Sequence, residues 1–408
     1  MTEAAAAARG SDLARARPKA ATPPAATAEE TRQLAETARE FARRELEPHA
    51  SGWDRERAFP AGAVRGLAEL GFLGLTVPEE EGGSGFGTAG YCAAVEEISR
   101  AVPALGLLLA IHNGPVTHLV RTAGRASARE RWIPALASGE ALGAFLLTEP
   151  DAGSDVAAIR ARARRADGGW RLDGVKAWVA GAGVAGVGVT FARTPRAPAE
   201  GRTRDLAAFV VDLGGPGVRA GAPEETMGLR SLPVGEVRLD GATVPEDALL
   251  GEEGAGFDLA IGALSVGRLG VAAQALGIAG RCLDLAVEYA SERRQFGRPV
   301  GEFQGVRLPL AELAARVEAA RALLERTATE RDAGAAPGEV TVRAAMAKLL
   351  AADLAMACAT QAVQAFGGYG YVTDYPVERF FRDAKACQLY EGTNEIQRVV
   401  IGRRLFGA

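Results

Sequence analysis

The chain of 408 residues is too long for one small hydrophobic core, and its 48% apolar and 24% charged residues are an ordinary globular balance. Lys plus Arg (47) nearly cancel Asp plus Glu (51) with no long run of one sign, which argues against nucleic acid as the main partner. Four cysteines form no CxxC pair, and no secretory signal precedes them; the expected setting is the reducing cytoplasm. Three histidines, His49, His112 and His118, share no metal-ligand spacing with a cysteine or an acid pair, so no metal is expected. No apolar run reads as long enough to cross a membrane; VPALGLLLAIHNGP ends at the polar His112 and Asn113.

Residues 1–29 are rich in Ala, Arg and Pro without a bulky apolar pattern, and the expectation is a disordered tail. A transit peptide shares that basic, Ala-rich composition, but Glu3, Asp12 and the Pro23-Pro24 pair favour a tail. The region 30–143 reads as all-helical. Leu34, Ala38, Phe41, Ala42 and Leu46 recur at the spacing of one buried helical face that Pro48 closes, and PAGAVRGLAELG stops at Gly71. TAGYCAAVEEISR, the stretch through LLLAIHNGPVTHLV, and ASARERWIPALASG continue the pattern.

From 144 to 252 the period shortens. WRLDGVKAWVAG places Asp173-Gly174 between two alternating runs, which predicts a hairpin, and GVGVTFART, LAAFVVDL and GEVRLDGATVP add further strands. Over 253–408 the helical period returns in two long Ala-rich segments, a third ending at QAFGG, and two shorter ones, VERFFRDAKACQ and NEIQRVVIGRRL. The fold class is therefore α+β: an N-terminal all-α domain, a middle antiparallel β domain and a C-terminal antiparallel four-helix bundle.

Several short stretches carry chemical interest. AFLLTEPDAGSD (144–155) sets Thr148 and Ser154 beside a permissive Gly153; by itself it reads first as a simple helix-to-strand turn. Trp178 on a strand is more often core than cofactor wall. SERRQFG (291–297) puts two arginines at a helix end, where they complement the dipole or clamp a phosphate. QAFGGYGY (364–371) is a glycine stop that also allows close backbone approach, and CQLYEGTNEIQR frames Glu391 between Tyr390 and Gly392 on a loop.

Taken together and in this order, TEPDAGSD, Lys176-x-Trp178, RRQFG, Gln364-x-x-Gly367-Gly368-Tyr369-Gly370 and Tyr390-Glu391-Gly392-Thr393 resemble the acyl-CoA dehydrogenase family from about residue 30 to the end. The resemblance implies FAD-dependent α,β-dehydrogenation of a short or branched acyl thioester, carried on CoA or on acyl carrier protein. Glu391 would abstract the α-proton while flavin N5 takes the β-hydride. Such a base works only if burial strips its water and lifts its pKa.

By the same resemblance Phe145, Leu147 and Thr148 would line the flavin, with Ser154 near the pyrophosphate or the thioester arm and Trp178 against the ring. Arg293, Gln295, Phe296, Gln304, Gln364, Gly367 and Gly368 would reach the FAD of a neighbouring subunit, and Thr393 and Glu395 its adenine half. Arg268, Tyr390, Glu391 and Gly392, with Ser154, would meet substrate. The implied partners are an electron-transfer flavoprotein and other copies of the chain, as a homodimer or homotetramer. Ala180, Ser265, Leu232 and Val234 stand where the family usually has Thr, an acid, Ser and Thr. Gly267 occupies the place of an alternative base, which leaves Glu391 as the candidate. The competing readings on the same fold are an oxidase or monooxygenase using O₂ and a non-enzymatic binding or scaffold protein.

Overall fold

The structure, a computed structural model, describes residues 26–195, 203 and 205–407. Of the expected tail, 1–25 lie outside the described residues, while Ala28 and Glu29 already belong to the first helix, α1 (Ala28–Phe41). A capping box starts it: the Glu30 N–H donates to Thr27 Oγ1 (3.2 Å) and the Thr27 N–H to Glu30 Oε2 (2.7 Å). Leu34 and Ala38 are its buried stripe. A π-helical turn (Ala42–Leu46) and an unforeseen short helix, α2 (Ala50–Glu56), follow. The helical region continues as α3 (Ala61–Glu69), α4 (Gly87–Ala101), α5 (Pro103–Ile111), α6 (Thr117–Ala123) and α7 (Ala126–Ser138).

The middle region is one eight-stranded sheet of β1 (Gly143–Leu146), β2 (Arg162–Ala166), β3 (Gly169–Ala180), β4 (Val187–Arg193), β5 (Leu206–Asp212), β6 (Val218–Pro223), β7 (Val234–Pro245) and β8 (Leu249–Leu250). Its order is β6-β7-β3-β2-β4-β5-β8, with β1 paired to β4. Most pairings are antiparallel, but β1 runs parallel to β4 (Phe145 opposite Val189), and β2 meets β4 in parallel through Arg162 and Arg193. The sheet is therefore mixed rather than purely antiparallel.

The hairpin expected at Asp173-Gly174 is not there. The chain turns instead at Asp167 and Gly168, and β3 runs straight through Asp173 as one strand. Gly174 takes φ +157° at a register shift against β7, with no room for a Cβ beside Ala161. β7 is as long as β3 and pairs with it along its length, so the ladder wins over the local turn propensity.

The C-terminal region comprises α8 (Gly256–Glu292), a small hairpin of β9 (Arg294–Gln295) and β10 (Arg298–Pro299), α9 (Gln304–Asp332), α10 (Pro337–Phe366), α11 (Val377–Cys387) and α12 (Asn394–Phe406). α8 corrects one expectation: by length and composition it is apolar enough to cross a membrane. Of its most apolar window, however, 83% is buried by the surrounding helices, and that packing accounts for its composition. Its glycines let α4 lie close alongside. A Cβ on Gly270 would overlap the Tyr91 hydroxyl, one on Gly277 the Glu96 carbonyl and one on Gly280 the Arg100 guanidinium, so α4 and α8 run in the same direction. At the start of α4 the Asp332 carboxylate accepts from the Thr88 and Ala89 N–H groups (2.8 and 2.9 Å), tying the end of α9 to the first helical region.

Candidate functional site

Glu391 lies on the loop between α11 and α12, in the left-handed region at φ +51° and followed by Gly392 at φ +83°. For a residue with a side chain this backbone costs on the order of 1–3 kcal/mol and needs its surroundings to enforce it. They do. The Lys348 ammonium, on α10, donates to the Gly392 carbonyl (2.8 Å) and to Asn394 Oδ1 (3.0 Å). Gln397 Nε2 donates to the carbonyls of Glu391 (3.1 Å) and Gly392 (2.7 Å). Asn394 is held in turn by Asp353 (2.8 Å), and Thr393 caps α12 by accepting from the Ile396 N–H (3.3 Å).

The carboxylate rests on α8. A Cβ at Gly267 would overlap Glu391 Oε2, so it is the glycine that leaves space for this carboxylate. The residue as a whole is half-buried, yet Oε2 is shut off from solvent and has no hydrogen-bond partner among the described residues. Burial pushes the Glu391 carboxyl up to about 7, against the opposing pull of Arg268 and then Lys348. Arg268 is buried on α8 with its Nε and one Nη unpartnered, and burial lowers its pKa. Burial likewise brings Lys348 down to about 8. Tyr390 donates to Gln274 Oε1 (2.7 Å) and supplies an aromatic flank. Arg268, Tyr390, Glu391 and Gly392 are thus brought together.

A second group forms at the end of β1. Lys176 and Glu149 make a fully buried ion pair (2.8 Å). The lysine also donates to the Leu147 carbonyl (3.2 Å), and the carboxylate accepts from the Arg160 and Ala161 N–H groups (2.6 and 3.0 Å). This fixes the segment carrying Leu147 and Thr148, whose carbonyl accepts from the Ala177 N–H (2.9 Å). One residue on, at a register shift between Lys176 and Val179, Trp178 takes φ +57° and turns its indole outward, 65% exposed. Phe145 is half-buried edge-on to Phe191 (5.5 Å), and Leu147 is buried in the sheet core. Ser154 is exposed on the following loop.

The third group sits at the other end of α8. Arg293, Gln295, Phe296, Gln304, Gln364, Gly367 and Gly368 are all exposed, with the Arg293 guanidinium 5.5 Å from the Tyr369 ring. Phe296 and Gly297 turn the β9–β10 hairpin with φ +52° and +82°, a turn that favours Asn-Gly, yet the tip is a phenylalanine 95% exposed. Between Arg268 and Arg293 the helix rises roughly 38 Å, so the two groups do not touch. Glu395 is exposed and pairs with Arg398 (3.4 Å).

Ala180 and Val234 are register partners across β3 and β7, Leu232 is buried, and Ser265 shares a hydrogen bond with Thr341 (3.0 Å). His112 is occupied by three backbone groups: Nδ1 accepts from the Gly143 N–H (3.0 Å), and Nε2 faces the Leu73 and Leu136 carbonyls (3.1 and 3.0 Å).

Sequence reading did not assign Lys348, Gln397, Gln274 or the Glu149 partner of Lys176. Lys348 had a usable signal, a lone cation on the otherwise apolar stripe of Ala344, Ala345, Ala351 and Ala352. Gln274 had none, because its partner Tyr390 is over a hundred residues away in sequence.

Three family models match consecutive parts of the chain: acyl-CoA dehydrogenase N-terminal domain (28–140), middle domain (144–242) and C-terminal domain (254–406). The chain is 44% identical to the acyl-CoA dehydrogenase of Bacillus subtilis (strain 168) over 90% of its own length and 96% of that protein. It is 40% identical to the mitochondrial short-chain specific acyl-CoA dehydrogenase of Mus musculus, covering 92% and 90%. Among solved structures it superposes on butyryl-CoA dehydrogenase from Megasphaera elsdenii with a TM-score of 0.88 at 36% identity, covering 92% of this chain and 98% of that one.

The raised Glu391 pKa has a consequence for stability. The folded value of about 7 lies above the ordinary 4.5, so below pH 4.5 the group is neutral in both states and costs nothing. Between 4.5 and 7 the unfolded chain ionises first and stability falls with rising pH, at roughly 1.4 kcal/mol per pH unit. Glu391→Gln, which stays neutral, is expected to be more resistant to denaturant than the parent apoprotein at pH 8. The difference should shrink towards pH 4.5; equal midpoints at both pH values would contradict the buried placement.

Proposed function

The chain belongs to the acyl-CoA dehydrogenase family of FAD-dependent oxidoreductases, and from that premise we propose that Glu391 is the base that removes the α-proton of a short or branched acyl thioester. The observation that carries this reading is the desolvated, unpartnered Glu391 Oε2, a carboxylate oxygen free to accept a proton. Burial makes it a stronger base than a wet carboxylate, and Arg268 and Lys348 oppose the rise, so that an ionised fraction remains at neutral pH. Bound FAD supplies the acceptor for the β-hydride.

The residues present suit that cofactor. Trp178 offers an outward indole face beside Thr148, and the Arg293–Phe296 hairpin offers exposed guanidinium and aromatic groups. Phe145 and Leu147 back the first surface; Ser154 stands at its rim for the pyrophosphate or the thioester arm. Thr393 and Glu395 would serve the adenine half. Because the hairpin end, with Gln295, Gln304, Gln364, Gly367 and Gly368, is so far from Glu391, its residues would serve the cofactor of another copy, which makes the working unit a homodimer or homotetramer. Electrons would leave to an electron-transfer flavoprotein. The four buried free thiols suit a reducing cytoplasm.

Within the chain's own residues the chemistry is proton handling and positioning. The α-proton goes to Glu391 Oε2 as the C–H electron pair becomes the new C=C bond and the β-hydride departs. The Glu391 backbone N–H has no protein acceptor among the described residues and is placed to donate to the thioester oxygen as negative charge builds there. Arg268 would hold the thioester side from within the bundle. Lys348 and Gln397 keep the loop from relaxing and moving Oε2 off the α-carbon.

Glu391→Gln is expected to purify yellow with FAD bound yet fail to bleach anaerobically with any acyl-CoA; retained turnover would remove Glu391 from the reaction. In the parent enzyme kcat/KM should rise with pH through about 7 and then level, since only the ionised carboxylate accepts the proton. A flat profile between pH 5.5 and 8.5 would count against it. Stoichiometric peroxide during turnover in air, in place of electron transfer to an acceptor protein, would favour the oxidase reading. Phe296→Asn should keep or raise the melting temperature, by easing the hairpin turn, while the protein loses FAD more readily on dilution. Unchanged FAD retention would place Phe296 outside the cofactor site.

A further inference from the structure

We infer that Tyr91 is the wall that closes the acyl end of this site and limits the substrate to about four acyl carbons, an inference that rests on the proposed thioester chemistry at Glu391. The reacting carbons must lie against Glu391 Oε2, which sits over Gly267. The carrier end of the thioester has to leave towards solvent, so the remaining acyl carbons run inward. One helical turn along the same face of α8 from Gly267 is Gly270, and one further turn on is Gln274. The space over Gly270 is held by the Tyr91 hydroxyl, so close that only a glycine fits beneath it.

Tyr91 comes from α4 and is fully buried. Its hydroxyl donates to the Ala110 carbonyl on α5 (2.8 Å), which fixes the ring across the gap between α5 and α8. A third glycine, Gly114, completes the contact: a Cβ there would come within 2.9 Å of the Tyr91 Oη and 3.8 Å of the Gly267 Cα. Gly114, Gly267 and Gly270 thus surround one small region with the carboxylate at one end and the phenol at the other. Burial, then Cys92 and then the Glu391 carboxylate push the Tyr91 pKa up. Beyond the phenol the same face of α8 is taken by Gln274, already engaged with Tyr390 and with the Pro103 carbonyl (2.8 Å), so no path continues there. The hydroxyl is held by a backbone carbonyl and the ring is locked, so an extra methylene meets a fixed wall rather than a side chain that swings aside.

The test is anaerobic flavin bleaching and turnover of the FAD-loaded enzyme with butyryl-, hexanoyl- and octanoyl-CoA. The parent enzyme is expected to prefer butyryl-CoA and to lose at least about tenfold in kcat/KM at hexanoyl-CoA. Tyr91→Ala, or Tyr91→Leu should the alanine variant fail to hold FAD, should regain about tenfold on hexanoyl-CoA relative to butyryl-CoA. Tyr91→Phe, which keeps the ring, should retain the butyryl preference. A parent enzyme equally fast on octanoyl-CoA, or an FAD-loaded Tyr91→Ala or Tyr91→Leu variant with an unshifted length profile, would overturn the wall. Failure of the parent to bleach with every thioester is a different result: it would overturn the dehydrogenase chemistry itself.

Discussion

Everything at the site depends on keeping one carboxylate dry while two cations stand near it. Arg268 and Lys348 both pull the Glu391 pKa down, and in water such neighbours would leave an ordinary strong acid. Desolvation prevails, and neither cation is hydrogen-bonded to Oε2. Lys348 is already bound to the Gly392 carbonyl and to Asn394 Oδ1, and Arg268 is itself buried with unpartnered N–H groups. Three polar atoms, Glu391 Oε2 and two nitrogens of Arg268, are therefore buried without partners in one neighbourhood. A folded protein usually avoids this, and substrate groups entering the site would explain it.

That arrangement is inseparable from how the helices pack. α8 carries the site on the same face that it uses to admit α4: Gly267 makes room for Glu391, Gly270 for Tyr91, and Gly277 for the α4 backbone. Glycines weaken an isolated helix by up to about 1 kcal/mol each, so α8 depends on the burial of its long apolar surface. The small apolar residues that make α8 look like a membrane segment also let the Glu391 loop and α4 close on it. Substitutions at these glycines would disturb packing and chemistry together, because one backbone approach serves both.

The sequence made the helical regions legible because their apolar period is local information. It also made the position of Glu391 legible, through the Tyr-Glu-Gly-Thr frame, but not the reason for its altered acidity. That is burial against α8 over Gly267, opposed by Arg268 and Lys348, all of which reach it only through the tertiary fold. The same limit explains the misplaced hairpin. Two Asp-Gly pairs lie six residues apart, and either could turn; the choice is made by β7, some seventy residues later, which pairs with β3 on both sides of Gly174. Lys176 was legible as part of a motif, whereas its role as a buried strut required Glu149 and the Leu147 carbonyl to be seen beside it.

The backbone itself marks the places where local preference has been overridden. Among the described residues five non-glycine residues adopt positive φ, and three of them are Trp178, Phe296 and Glu391. Each is over-determined by its neighbours: Trp178 by the register shift and the Ala177–Thr148 hydrogen bond, Phe296 by its hairpin, Glu391 by Lys348 and Gln397. In each case a glycine or asparagine would relieve the strain, and a side chain with an aromatic face or a carboxylate is present instead. These three positions, 95 to 213 residues apart in sequence, are the ones we propose as ligand contacts, Trp178 and Glu391 at one site and Phe296 towards the cofactor of another copy. The remaining two, Arg57 and Leu229, fit a different cause, since Arg57 ends α2 in a left-handed cap and the Leu229 N–H is held by buried Asp383.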